Sequence, residues 1–177
     1  MTQFPRRGDL VLTPKGLSAF GRILPCSIGT GLLTRSKREG DGATPVGTHR
    51  VEAMYYRADR LACPAPGARP IGPRDLWSDD PKDAAYNTLV RHPYAHGHEK
   101  MRRGDPLYDI VIVLDWNRSP PEPGAGSAIF MHQWRRPGFP TEGCIALARR
   151  DLLFVSRHLH PQARLVIPPL AGQVHCA

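Results

Sequence analysis

Nineteen prolines and seventeen glycines are spread along the whole of this 177-residue chain rather than gathered in linkers. Proline removes a backbone donor and glycine loosens the backbone, so punctuation this dense favours many short elements joined by turns over a helical bundle. The runs between the breaks carry β-branched or alternating apolar residues: Asp9–Thr13, Gly21–Gly29, Thr48–Arg57, Tyr108–Trp116, Ser127–Gln133 and Ala163–Pro169. Each reads as a strand. One stretch, ARRDLLFVSRHLH, repeats Leu152, Val155 and Leu159 at helical spacing and stops at Pro161. It predicts a single helix late in the chain. The Pro-rich stretches Pro64–Pro73 and Ser119–Gly126 are too short to be linkers and read as surface loops. Residues 1–177 are therefore expected to form one mainly β domain, and 41% hydrophobic residues suffice for its core.

A formal charge of +8 draws such a domain toward anionic partners: nucleic acid, anionic lipid or acidic cell-wall polymer. The basic residues are scattered, however, and no aromatic platform accompanies them, which argues against a nucleic-acid-binding module. Cys26, Cys63, Cys144 and Cys176 form no C-x-x-C pair, so neither a zinc ribbon nor a thioredoxin-type motif is supported. Cys26 lies in an apolar run and is expected to be buried, while Cys63 and Cys176 read as incidental. The opening residues MTQFPRRGDLVLTPKG lack the apolar stretch and cleavage site of an export signal, and no segment reaches membrane-span length. A chain without an export signal or membrane span is the expectation.

Chemistry concentrates in AIFMHQWRRPGFPTEGCIAL, Ala128 to Leu147. His132 ends a strand-like run, and Cys144 follows twelve residues later, after a loop rich in turn formers. If the loop folds back, the imidazole can take the thiol's proton during nucleophilic attack. Gly143 lets the backbone approach a substrate, and the N–H groups of Gly143 and Cys144 could hold an oxyanion. The outline is that of an acyl-transfer site. A small buried cysteine beside a surface histidine would give the same spacing, so the pair alone does not decide between these.

The wider pattern does. HQWRRPGFPTEGCIAL, with His132, Thr141, Gly143 and Cys144, resembles the signature of the YkuD-type L,D-transpeptidase family, in its compact single-domain branch. Lys37–Val51, Trp77–Pro81, Tyr86–Val90 and Gly126–His132 resemble the accompanying blocks. One departure stands out: many members carry Arg two residues after the nucleophile, where this chain has Ala146. That bears on donor specificity more than on the nucleophile.

The resemblance implies a bent β-sandwich of two mixed sheets with one main helix after the catalytic Cys. It implies peptidoglycan cross-linking, in which Cys144 takes the acyl group of one stem peptide, His132 moves the protons, and the amine of a second stem peptide resolves the thioester. The imidazole would be oriented by the backbone carbonyl of Gln133. Water as acceptor would make the same site an L,D-carboxypeptidase or endopeptidase, and a Cys–His hydrolase of other amides is a further alternative. No cofactor or metal is implied, and the family acts in the periplasm or cell envelope, an expectation at odds with the missing export signal.

Candidate substrate-binding residues are Thr141, Trp134, Arg135, Arg136, Tyr86 and Asn87; the arginines suit stem-peptide carboxylates. Glu142 reads as a loop or substrate-facing side chain, and EGDGATPVG as a structural turn from which Lys37 or Glu39 could face the cleft. WSDDP reads as a turn with an aromatic anchor. His92, His96 and His98 cluster without the spacing of a metal-binding helix, and read as a loop.

Overall fold

The computed structural model describes residues 5–169 and the short strand at 174–175. In chain order the strands are β1 (Leu10–Thr13), β2 (Gly16–Ala19), β3 (Arg22–Leu24), β4 (Cys26–Ser27), β5 (Leu33–Thr34), β6 (Thr44–Pro45), β7 (Gly47–Tyr56) and β8 (Arg69–Pro70). They continue with β9 (Asp75–Ser78), β10 (Leu89–Arg91), β11 (His98–Lys100), β12 (Ile110–Leu114), β13 (Phe130–Gln133) and β14 (Ile145–Leu147). The helix α1 (Arg149–His158) and the strands β15 (Arg164–Ile167) and β16 (Val174–His175) follow.

The main sheet runs β3-β2-β1-β15-β7-β12-β13-β14-β4, with β8 added to β7. Strand β7 joins its two leaves: Gly47–Arg50 pair with β15, whereas Val51–Tyr56 pair with β12 across a bulge. The two end strands, β3 and β4, are consecutive in the chain and separated only by Pro25. The sheet therefore bends almost back to its own start, giving the expected mainly β sandwich of mixed parallel and antiparallel pairs with one helix. The run Gly21–Gly29 is accordingly two strands, not one, because Pro25 offers no N–H and the chain passes there from one leaf to the other.

Strand β12, IVIVL, is buried on both faces. Ile110, Ile112 and Leu114 enter the core between the leaves, with Leu10, Leu165, Met131 and Ile145. Val111 and Val113 point the other way, toward Tyr55, Trp77, Met101 and Phe130. That second face is covered by the small sheet β10-β9-β11, which explains why the strand is continuously apolar rather than alternating. WSDDP is thus half strand: Trp77 is buried within β9, which ends at Ser78, and the turn that follows is closed from Asp83 N–H to the Asp80 carbonyl. The histidine-rich stretch likewise contributes β11.

Helix α1 sets Leu152 and Val155 in the main core. Asp151 in its first turn and Arg157 and His158 in its last complement the helix dipole. Arg149, its first residue, donates to the buried Asp109 carboxylate at 2.6 Å, and Arg60 donates to the other oxygen at 2.8 Å. This ties the helix to the β7–β8 connection and to the start of β12.

Ile112 is fully buried at the centre of the sheet. Ile112→Ala is expected to lower unfolding stability by about 2–5 kcal/mol, measured as a reduced denaturation midpoint at constant m-value.

Candidate active site

The twelve-residue spacing of His132 and Cys144 follows from how their strands pair. Strands β13 and β14 are parallel neighbours with Met131 opposite Ile145 and His132 opposite Ala146. Parallel strands cannot be joined by a tight hairpin and need a crossover. Here residues 134–144 supply it without a helix and deliver Cys144 to the start of β14. Side chains alternate across the sheet, so Phe130 and His132 share one face while Met131 faces the main core. Cys144 lies on the Phe130 face.

A second segment braces the nucleophile's turn. The Thr44 hydroxyl donates to the Gly143 carbonyl at 2.9 Å and accepts from the Gly29 N–H at 2.9 Å. Thr141 bonds through its backbone to Ile28 and Thr30 at 3.0 and 2.8 Å. The approach is so close that a Cβ on Gly29 would fall 2.0 Å from the Gly42 carbonyl oxygen and 2.9 Å from the Gly143 Cα. Gly143 itself has φ +124°, and a Cβ there would meet the Ala43 carbonyl oxygen at 2.7 Å. EGDGATPVG is indeed structural at this end, since it forms the bed on which the Cys144 turn rests.

Both reactive side chains are more than nine-tenths buried. The Cys144 thiol donates to the Ala128 carbonyl at 3.1 Å, and the Phe130 N–H donates to its sulfur at 3.4 Å. Burial, reinforced by the Glu99 carboxylate, pushes the thiol up to about 12. His132 Nδ1 donates to the Gln133 carbonyl at 2.7 Å, as the family resemblance implied, which fixes Nε2 as the lone-pair nitrogen. Burial lowers its imidazole to about 4, against the pull of that carbonyl, and the Arg103 charge lowers it further. No hydrogen bond joins the two side chains among the described residues. At neutral pH both are uncharged: a thiol beside a neutral imidazole, rather than an ion pair.

His132 and Cys144 line one cavity of about 480 Å³. Tyr108 stands edge-on to the imidazole, ring centres 5.3 Å apart, and its hydroxyl donates to Glu99 at 2.6 Å. Arg103 lies over the Tyr108 ring at 5.1 Å and is held by Asp105. Trp134, Arg135, Thr141 and Glu142 line the cavity, as do Lys37 and Glu39. Glu99, Arg103 and Tyr108 were not singled out by sequence: they lie away from the motif, and no local pattern marks them. In the strand register Ala146, completely buried, sits between His132 and Ser27.

Several candidates serve the scaffold instead. Asn87 is 1% exposed and does not reach the cavity. Its amide oxygen accepts from Trp77 Nε1 and the Ala128 N–H, both at 3.0 Å, and its nitrogen donates to the Trp116 and Asn117 carbonyls. Tyr86 is equally buried and donates to Glu39, so it positions a cavity residue rather than lining the cavity. The Thr141 hydroxyl is committed within the turn, donating to the Cys144 carbonyl at 2.6 Å and accepting from the Gly143 N–H at 3.2 Å. That engages the Gly143 N–H and leaves Cys144's as the free donor of the two. Arg136 stacks at 5.2 Å over Phe139, outside the cavity lining. Of the histidine tract, His96 faces Asp80 at 3.5 Å and His98 bonds to the His96 carbonyl. Cys26 is half-buried with its thiol raised to about 11 by desolvation, and Cys63 is exposed. Cys176 lies outside the described residues.

A β-sandwich whose parallel strand pair presents a histidine and a cysteine to one cavity defines a candidate acyl-transfer domain. The model of the YkuD family, the L,D-transpeptidase catalytic domain, matches residues 5–167, nearly the whole chain, and the protein belongs to that family. Among curated proteins and among solved structures, none matches the chain.

Asn87→Ala would strand an indole N–H, a backbone N–H and two carbonyls in the interior. It is expected to cost roughly 3 kcal/mol or more of stability, read by thermal unfolding. Because Ala128 receives one of those bonds and also holds the thiol, the variant should alkylate faster at Cys144 as well.

Proposed function

We propose that this chain is a peptidoglycan L,D-transpeptidase working through a cysteine thioester. The observation that carries this reading is the shared cavity: His132, anchored through Nδ1, presents Nε2 to the space that Cys144 also lines. A donor stem-peptide carbonyl seated there is attacked by sulfur as Nε2 takes the thiol proton. Because the thiol is held high and the imidazole low, attack and proton transfer are coupled, with no standing thiolate. The Cys144 N–H is the available donor for the developing oxyanion. The departing residue receives the proton from the imidazolium, and an amine of a second stem peptide then resolves the thioester. Arg135 and Arg103 on the cavity wall suit the donor's carboxylates, and Trp134 forms part of the same wall. The proposed substrate implies the cell envelope as the place of action.

Incubating the protein with defined tripeptide and tetrapeptide muropeptides should yield cross-linked dimers by mass spectrometry. Cys144→Ala is expected to give none, and His132→Ala to slow turnover roughly 100- to 10,000-fold. Hydrolysed monomer without dimer would move the assignment to a peptidase.

The neutral resting pair makes a second prediction. Alkylation of Cys144 by iodoacetamide should rise about tenfold per pH unit between pH 6 and 9, because only the thiolate reacts and its fraction grows with pH toward about 12. A rate that is flat across that range would show an ion pair instead.

A further inference from the structure

A second cavity, of about 1010 Å³, lies on the outer face of the leaf formed by β1, β15 and β7, and it shares no lining residue with the Cys144 cavity. The register explains its charge. Leu10, Leu165 and Ile167 turn into the main core, so Asp9 and Arg164 face the other way, and Arg50 stands directly opposite Arg164 across the β7–β15 pair. Like charges at opposed positions repel. Asp9 answers Arg164, accepting from its guanidinium at 2.6 and 3.0 Å, and takes the Arg6 backbone N–H as well. Glu52 is committed to Arg118, and the Asp115 carboxylate takes the backbone N–H of Arg50 rather than its guanidinium. Arg6, Arg7 and Arg50 therefore line the cavity with no ion pair or side-chain hydrogen bond to a described residue; Arg6 acts on Asp9 through its charge, without pairing. Two uncharged donors belong to the same wall. His160 Nδ1 accepts from the Gln162 N–H at 3.2 Å, which leaves Nε2 to carry the ring proton. Thr48, on the face of Arg50, has a hydroxyl shielded from solvent and without a partner among the described residues. An unpaired buried hydroxyl is costly, as are opposed arginines, and anion oxygens relieve both.

We propose that this cavity binds a ligand carrying two linked phosphate groups, held by Arg6, Arg7 and Arg50 with further donors from His160 and Thr48. Planar guanidinium forks match phosphate oxygens in pairs. Arg6 and Arg7 precede β1 whereas Arg50 lies on β7, with β15 between, so the two groups stand two strands apart, about 10 Å at ordinary strand spacing. Linked phosphates reach across that gap with one group at each side, and their charge matches three arginines better than a single carboxylate does. A soluble diphosphate ester and the headgroup of a diphosphate lipid present the same chemistry. The site is independent of the acyl-transfer reading, because neither His132 nor Cys144 takes part in it.

The test is isothermal titration of the full chain with inorganic pyrophosphate at low ionic strength, beside orthophosphate. One equivalent of pyrophosphate should bind, more tightly than orthophosphate. Arg50→Gln and Arg7→Gln, both at exposed positions, should each weaken it roughly 10- to 100-fold through loss of a charge-assisted contact. Arg135→Gln removes the same charge from the Cys144 cavity instead and should bind as the wild type does. No saturable binding, orthophosphate binding as tightly as pyrophosphate, or an equal loss in Arg135→Gln would each overturn the proposal. The source is then read from two further probes. Displacement of pyrophosphate by ADP assigns a soluble ester, whereas co-sedimentation with phosphatidylcholine vesicles carrying a prenyl diphosphate, lost in Arg50→Gln, assigns a lipid headgroup. Failure of both probes counts against the ligand class.

Discussion

The parallel pairing of β13 with β14 is the constraint on which the rest of the site depends. It fixes His132 opposite Ala146 and sets Cys144 two residues earlier, at the point where the crossover enters the sheet. Everything around that point holds the crossover in place. Thr44 and Thr141 bind the turn through their hydroxyls, and Gly29, Gly42 and Gly143 let backbones approach where no side chain would fit. Asn87 works from further away, joining β9, the strand-end loop at Trp116 and the Ala128 backbone that receives the thiol. Cys144 is thus held by side-chain and backbone hydrogen bonds from separate stretches of the chain, and their cooperation rather than any single bond gives it a fixed position.

Burial decides the electrical state of the pair. Deep in the second hydrophobic cluster, with Phe130 and Val111 beside it, Cys144 keeps its proton and His132 remains neutral. A resting thiol of this kind is protected from adventitious reaction, because the thiolate is the reactive form. The Glu99 and Glu142 carboxylates on the cavity wall act in the same sense, since both add to the cost of a negative sulfur. The position of Ala146 fits this dry setting: fully buried between His132 and Ser27 in the strand register, it brings no charge to the pair's surroundings.

Much of this was legible in the residues themselves. The all-apolar β12, the Leu152/Val155 spacing of α1 and the Pro-Gly punctuation carry the fold class, because they reflect local periodicity and backbone chemistry. The short strands β2, β9, β10, β11 and β14 were not legible: three or four residues of mixed character become strands only when a partner supplies the ladder. Pro25 shows the opposite case, a local rule that was visible but whose consequence, the passage between the two ends of the sheet, was not.

The same division holds at the site. The sequence by itself offered His132, Gly143 and Cys144 as a candidate site because they lie within one short stretch, and its family resemblance, rather than the spacing, singled them out and implied the Gln133 carbonyl as the imidazole's partner. Tertiary structure alone decided that Asn87, Tyr86 and the Thr141 hydroxyl serve the scaffold, and that Glu99, Asp79 and Arg103 stand around the nucleophile. Hydrogen bonding and charge act through space over a few ångströms, and residues forty or more positions apart, such as Glu99 and Cys144, acquire that nearness only when the small sheet closes over the large one.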